Sequence, residues 1–306
     1  MSAAIKYISK EEIILLSNVK SLAHRMKLEY ANDFSSINTP QRVSIFRENP
    51  YGVFNAMSAF SDRCNLFITK MVTVIPQNDP SVHAVVLAFS SQTGKPLAIL
   101  DGDAITHLKC AAITALVTDL CALPEAKVLA LIGSGIQARE QIRGVGAVRQ
   151  LEQIRIFSRD GNRVRSFIEE NSQLCDSAEF VSCASANEAI ANAEVISTAT
   201  TSFEPVISAE ALDGKFVHIN CMGNHTPHSR ELPIRILQQS LLIVEDIPTA
   251  ILEAGEIHRD AITIEKLVKQ TPSKLQQQRT VFASTGHAFL DLITVGYVLA
   301  ALKEPQ

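Results

Sequence analysis

Apolar and polar positions follow two different rhythms along the chain. From about Val128 to Asp246, short apolar runs at Val128–Ile132, Ile154–Phe157, Glu194–Thr198, Phe216–Asn220 and Leu241–Val244 are separated by helix-competent stretches. Strands alternating with helices predict a doubly wound parallel sheet. Upstream, Phe67–Ile75, Ala84–Phe89 and Pro96–Leu100 are broken by Gln77-Asn78-Asp79-Pro80 and Gln92-Thr93-Gly94-Lys95. Those breaks have turn chemistry, so this part predicts neighbouring strands in a separate α+β domain. A helix-like stretch runs from Ala104 to Leu123 and stops at Pro124, as the bridge between the two. The last apolar stretch, Ala288–Leu302, is expected to pack back on the first domain. The expected boundaries are 1–123 with about 287–306 for the α+β domain, and 124–286 for the doubly wound one.

Composition narrows the function more than the fold. The chain has 306 residues, 46% of them hydrophobic, enough for two cored domains. Its formal charge of −4 includes no long basic run, which argues against nucleic acid as a partner. Cys64, Cys110, Cys121, Cys175, Cys183 and Cys221 are scattered without a C-x-x-C pair, so buried free thiols are expected and no metal. Met1-Ser2-Ala3-Ala4 leads into Ser9-Lys10-Glu11-Glu12, a capping-box helix start, rather than into a signal peptide. No apolar stretch is read as a membrane span, and a reducing, cytoplasmic setting is the expectation.

The first strand of the parallel sheet carries the chemistry. Val128–Ile132 stops on Gly133 and continues as Ser134-Gly135-Ile136-Gln137-Ala138 into a helix. Gly133 suits a sharp turn, Gly135 has no Cβ to block a pyrophosphate, and Ala138 is small enough for close helix–strand packing. This is a dinucleotide-binding turn of Rossmann type, with phosphates expected at the positive helix start. The second strand ends at Ser158-Arg159. A site for NAD would place a carboxylate there to hold the ribose 2′-OH; a hydroxyl and a guanidinium instead suit a 2′-phosphate, with Arg163 as a second charge. NADPH is therefore the expected cofactor, with NADH as the alternative. Asp160 is the competing group, able to pair with Arg159 or turn toward the ribose.

Several segments occur in one order: Asp101-Gly102-Asp103-Ala104-Ile105-Thr106-His107-Leu108-Lys109-Cys110-Ala111-Ala112, the Gly133–Ala138 turn, and Phe282-Ala283-Ser284-Thr285-Gly286-His287-Ala288 before Asp291. With Lys70 ahead of Val72–Asn78, Thr200-Thr201-Ser202 and Glu253-Ala254-Gly255-Glu256, they resemble the ornithine cyclodeaminase/mu-crystallin family over nearly the whole chain. The resemblance implies a nicotinamide cofactor, a homodimer joined through the non-Rossmann domain, and a small imino- or amino-acid substrate whose carboxylate is gripped by basic residues. It maps that grip onto Arg42, Lys70 and Lys109, and further cofactor contacts onto Thr198, Ala199, Thr200, Met222 and Gly223. Lys70 also reads independently as functional, because a cation set in an apolar strand needs an anion.

Two positions depart from the family pattern. Lys109 stands where an arginine is usual, which keeps the charge and loses the fork. His225 stands where cyclodeaminases carry an aspartate that takes protons during ring closure. A histidine there is a candidate general acid or base, against the plainer reading of a solvated loop residue. The resulting expectation is an NAD(P)H-dependent reductase of an α-imino acid, either a cyclic ketimine or an imine of a keto acid and an amine. The alternatives are a cyclodeaminase-type lyase releasing ammonia and a non-catalytic NADPH- and ligand-binding protein.

Overall fold

A computed structural model describes residues 5–32, 37–78 and 80–303. Met1–Ala4, ahead of the capping box, and Asp79, inside the expected Gln77–Pro80 turn, lie outside the described residues. The chain divides into two compact units, Met1–Lys109 with His287–Gln306 and Cys110–Gly286. The division thus falls inside a helix rather than at residue 123.

The first unit is built on β1 (Lys6–Ile8), β2 (Ile37–Asn38), β3 (Val43–Arg47), β4 (Gly52–Ser61), β5 (Leu66–Val74), β6 (Val82–Ser90) and β7 (Pro96–Asp101). Their order is β1-β7-β6-β5-β4-β2, with β3 also on β4. β5 through β7 form the antiparallel meander that the turn residues predict, β4 extends it by pairing antiparallel with β5, and β1 pairs in parallel with β7. The long strand β4 was not among the expected strands, because its sequence Gly-Val-Phe-Asn-Ala-Met-Ser-Ala-Phe-Ser puts apolar groups on both faces and hides the period of two. One sheet face, with Met57, Ala59, Ile68, Val86, Ala88 and Leu100, is buried. The C-terminal helix Ala288–Ala301 packs on β4, β5 and α2 (Val19–Ala31), as the sequence predicts. Ahead of α2, α1 (Lys10–Leu16) starts with the expected capping box: the Glu12 N–H donates to Ser9 Oγ at 3.3 Å and the Ser9 N–H to Glu12 at 2.9 Å. The opposite sheet face is open, with Phe67 44% exposed beside Phe60, and β3 is exposed along its length.

α3 (Gly102–Cys121) corrects one expectation. Its 20 residues reach a mean hydropathy of 1.3, long and apolar enough to cross a membrane by composition alone, yet 83% of that window is buried inside the fold. It is a core helix, and apolar all round for that reason.

The second unit holds the parallel sheet. Its strands are β8 (Val128–Ile132), β9 (Gln153–Phe157), β10 (Glu179–Ser182), β11 (Val195–Thr198), β12 (His218–Cys221), a separate hairpin β13 (His225–Thr226) and β14 (Ser229–Arg230), then β15 (Leu241–Val244), β16 (Ile262–Thr263) and β17 (Thr280–Ala283). The order is β10-β9-β8-β11-β12-β17-β15-β16, parallel throughout. Chain order reverses beside β8, the switch point where such sheets bind ligands. β12 begins two residues later than predicted, at His218, because Phe216, apolar though it is, stands 70% exposed outside the sheet. β10, β16 and β17 were not predicted as strands. β17 inserts between β12 and β15, a non-local pairing with no local sequence mark.

Candidate active site

The turn after β8 has the geometry its sequence demands. Gly133 sits at φ +122°, and a Cβ there would overlap the Ala199 carbonyl, so both conformation and space require glycine. Its N–H donates to the Phe157 carbonyl at 2.9 Å, and the Ala199 N–H donates to the Ile132 carbonyl at 2.8 Å. Gly135 is the N-cap of α4 (Ile136–Gly146) and offers no capping side chain; a Cβ built on it meets nothing within 4 Å. The first intrahelical bond is from the Arg139 N–H, so the N–H groups of Ile136, Gln137 and Ala138 precede it in front of open space. Ala138 is fully buried against the sheet. A helix start with uncapped N–H groups and room before it fits the pyrophosphate of a dinucleotide.

Beyond β9, the rivalry between Asp160 and Arg159 resolves into separate jobs. Asp160 is the N-cap of α5 (Gly161–Asn171), accepting from the N–H groups of Asn162 at 2.9 Å and Arg163 at 3.5 Å. One oxygen of its carboxylate, Oδ1, is thereby taken up by the helix end. Arg159 lines a shallow, largely open cavity of about 560 Å³ with Asp160, Gly161, Asn162, Arg165 and Ser182. Arg163 is 80% exposed and 3.9 Å from Asp160, whereas Arg165, two residues further along α5, lines the cavity. Sequence reading missed Arg165 and Ser182, since Ser182 closes a strand it did not anticipate.

On the other side of β8, two buried carboxylates fasten the loops at the strand ends. Glu231 is fully buried. It accepts from Thr198 Oγ1 at 2.8 Å, the Thr200 N–H at 2.6 Å, Thr200 Oγ1 at 2.7 Å and the Gly223 N–H at 2.9 Å. A Cβ on Gly223 would overlap this carboxyl group and the Thr200 carbonyl, which explains the glycine. Burial pushes the Glu231 carboxyl up from its ordinary value, against the pull of its donors. Met222 is half-buried next to it, its N–H donating to the Thr198 carbonyl at 2.9 Å. Glu245 accepts from Ser284 Oγ at 2.5 Å and from the N–H groups of Thr285 and Gly286, both at 3.2 Å. An acid directly after the apolar run of β15 was its one available sequence signal.

His225 lies in the β13–β14 hairpin with its Nδ1 buried and without a hydrogen-bond partner among the described residues. Burial, then the nearby His258, brings its pKa down to about 4. At neutral pH the ring is uncharged and has no proton to give as an imidazolium.

The first unit brings two of the predicted cations together. Lys70, in the middle of β5, and Lys109, near the end of this unit on α3, are each 4% exposed. Their Nζ atoms lie 3.0 and 3.3 Å from the same oxygen, Oδ1 of the fully buried Asp291. Burial alone would raise the Asp291 carboxyl, and the charges of Lys109 and Lys70 overcome it, holding it below the usual range. Arg42 is half-buried one residue before β3. The register Val43↔Ala56 and Met57↔Lys70 sets it at the row containing Met57 and Lys70.

Comparison with known proteins agrees with both units. A family model described as the ornithine cyclodeaminase/mu-crystallin family matches residues 6–305. A Delta(1)-pyrroline-2-carboxylate reductase of Colwellia psychrerythraea is 26% identical over 98% of this chain and 100% of its own length. The ketimine reductase mu-crystallin of Mus musculus is 30% identical over 81% of this chain and 80% of its own. Among solved structures, Thermococcus litoralis Delta(1)-pyrroline-2-carboxylate reductase in complex with NADH and L-proline superposes with a TM-score of 0.85 at 25% identity, covering 97% of each chain. With a match spanning nearly all of its length, this chain belongs to the ornithine cyclodeaminase/mu-crystallin family.

Proposed function

We propose that the protein reduces an α-imino acid to an amino acid with a nicotinamide cofactor, that its substrates are cyclic ketimines bearing a carboxylate, and that it prefers NADPH to NADH. The carrying observation is the buried cluster in which Lys70 and Lys109 converge on one oxygen of Asp291. Ammonium groups held out of water beside one fixed carboxylate oxygen are pre-positioned cations, able to share themselves with a substrate carboxylate. Two lysines on one anchor also offer two separate donors where the family's arginine offers a fork. Arg42, on the same cross-strand row as Met57 and Lys70, adds the third positive group of the grip.

The bound cofactor supplies hydride to the imine carbon. Lys70 holds the substrate carboxylate and carries the proton that the imine nitrogen needs in order to become electrophilic. Asp291 orients that lysine through its 3.0 Å contact. His225, uncharged at neutral pH, is a wall residue of the loop rather than the acid. For the cofactor, Gly133 to Ala138 hold the pyrophosphate, Ser158 and Arg159 take the 2′-phosphate, and Arg159 supports the NADPH preference by lining the cavity beside β9. A second copy of the chain would cover the open face of the first unit's sheet, where β3 exposes Val43 and Ile45 at 63% and 62%. All six cysteines are free, which accords with a reducing, cytoplasmic setting.

The test follows NADPH absorbance with five- and six-membered cyclic ketimine carboxylates and with keto-acid/amine pairs. Oxidation of NADPH with a ring substrate, yielding the cyclic amino acid, is expected. No consumption with any imine refutes the reading. Light scattering should give the dimer mass at micromolar concentration.

A further inference from the structure

Glu231 does more than fill the space behind its loop. Thr198 ends β11 and Gly223 follows β12, and both strands lie on the side of β8 away from β9. The cavity at Arg159 marks the β9 side as the place for the adenosine half of a dinucleotide. The nicotinamide half then crosses the ends of β11 and β12. The segment Thr198–Thr200 lies between the two devices: its middle residue, Ala199, meets the Gly133 turn, while Thr198 and Thr200 are tied to Glu231.

Every polar partner of this carboxylate is a donor. Oε1 takes the Thr200 N–H and hydroxyl, and Oε2 takes the Thr198 hydroxyl, the Gly223 N–H and, at 3.6 Å, the Cys221 thiol. No Lys or Arg lies within ion-pair distance among the described residues, so the group is held by dipoles and not by a cation. Such a set accepts an ionised carboxylate and rejects an amide, whose NH₂ would face donors on either side.

We propose that Glu231 is a positioning residue for the nicotinamide end of the cofactor site, fixing the backbone at Thr198–Thr200 and Gly223 from behind without touching the substrate. This rests on the oxidoreductase reading above. Its function would be to hold the two loops at one separation, so that the ring's site is formed before the cofactor arrives.

The test compares NADPH with 2′-phospho-ADP-ribose, which has the adenosine, phosphates and ribose but no nicotinamide, by titration calorimetry. In Glu231→Gln, NADPH affinity should fall about tenfold, the scale of one hydrogen bond to a charged group, while the fragment changes by less than about twofold. Equal weakening of both ligands, or of neither, overturns the proposal and leaves the oxidoreductase reading standing. Binding of neither ligand by the unaltered protein overturns both. If Glu231→Gln does not fold, Thr198→Val removes one donor from the same oxygen and keeps the charge. It should cost about threefold for NADPH alone, and an equal effect on the fragment, or none on either ligand, counts against the proposal.

Discussion

Replacing Asp291 by Asn tests whether the buried lysine pair depends on one carboxylate. Both ammonium nitrogens lie within 3.0 and 3.3 Å of Asp291 Oδ1, so their separation is at most the sum of those distances. At about 6 Å and an effective dielectric of about 20, two unit charges repel by about 3 kcal/mol, a cost the carboxylate offsets. Breaking a buried ion pair by removing one partner typically costs about 3–5 kcal/mol, because the remaining charge stays desolvated. Asn keeps the size and one acceptor oxygen, so packing contributes little to the change. The expected loss is about 3–4 kcal/mol, or a fall of roughly 10 °C in thermal midpoint by circular dichroism. Adding Lys70→Met to Asp291→Asn should recover stability, since it removes one of the two repelling charges; the pair should therefore be less damaging than the sum of the single changes. A loss below about 1 kcal/mol for Asp291→Asn, or strict additivity in the double variant, would show that the lysines do not depend on this carboxylate.

Three other outcomes are expected. His218 Nδ1 is hydrogen-bonded with Thr280 Oγ1 at 2.8 Å and Nε2 with Asn220 Oδ1 at 3.1 Å, and burial first of all lowers its pKa to about 4. Because the folded value lies below the unfolded one, the unfolded chain binds the extra proton between about pH 6.5 and 4, so up to about 3 kcal/mol of stability is lost as pH falls through that window. Urea midpoints at pH 7 and pH 4.5 should show this, and His218→Gln should flatten the difference; an unchanged slope refutes it. Arg159→Ala should weaken NADPH binding roughly ten- to a hundredfold and NADH binding little, whereas equal weakening of both would leave cofactor choice to the backbone. Ornithine incubated with oxidised cofactor should give no proline, because His225 is a neutral ring where a cyclodeaminase has a carboxylate; enzymatic release of proline and ammonia would restore the lyase reading.

What could be read before folding follows a physical division. The Gly133–Ala138 turn was legible because its requirements are local: a positive φ, a missing Cβ and a small helix residue lie within six positions. Ser158-Arg159 was legible as chemistry, yet whether Asp160 opposed it depended on a helix cap, which only the backbone of α5 reveals. Lys70 announced itself as a cation in an apolar strand, but its partner lies 221 residues away. β17 and Arg165 escaped for the same reason, since the one enters the sheet between strands remote in sequence and the other gains meaning from Ser182 across the cavity.

The sequence by itself therefore determined the alternating strands and helices, the cofactor turn and the identity of the cations, because periodicity, glycine stereochemistry and the cost of an unpaired buried charge act over a few residues. Tertiary structure decided how the carboxylates were used. Asp160 caps a helix, Glu231 and Glu245 fasten loops, and Asp291 holds two lysines. A carboxylate's role depends on which donors or cations surround it in a medium of low dielectric, and those neighbours are assembled only when distant segments pack together.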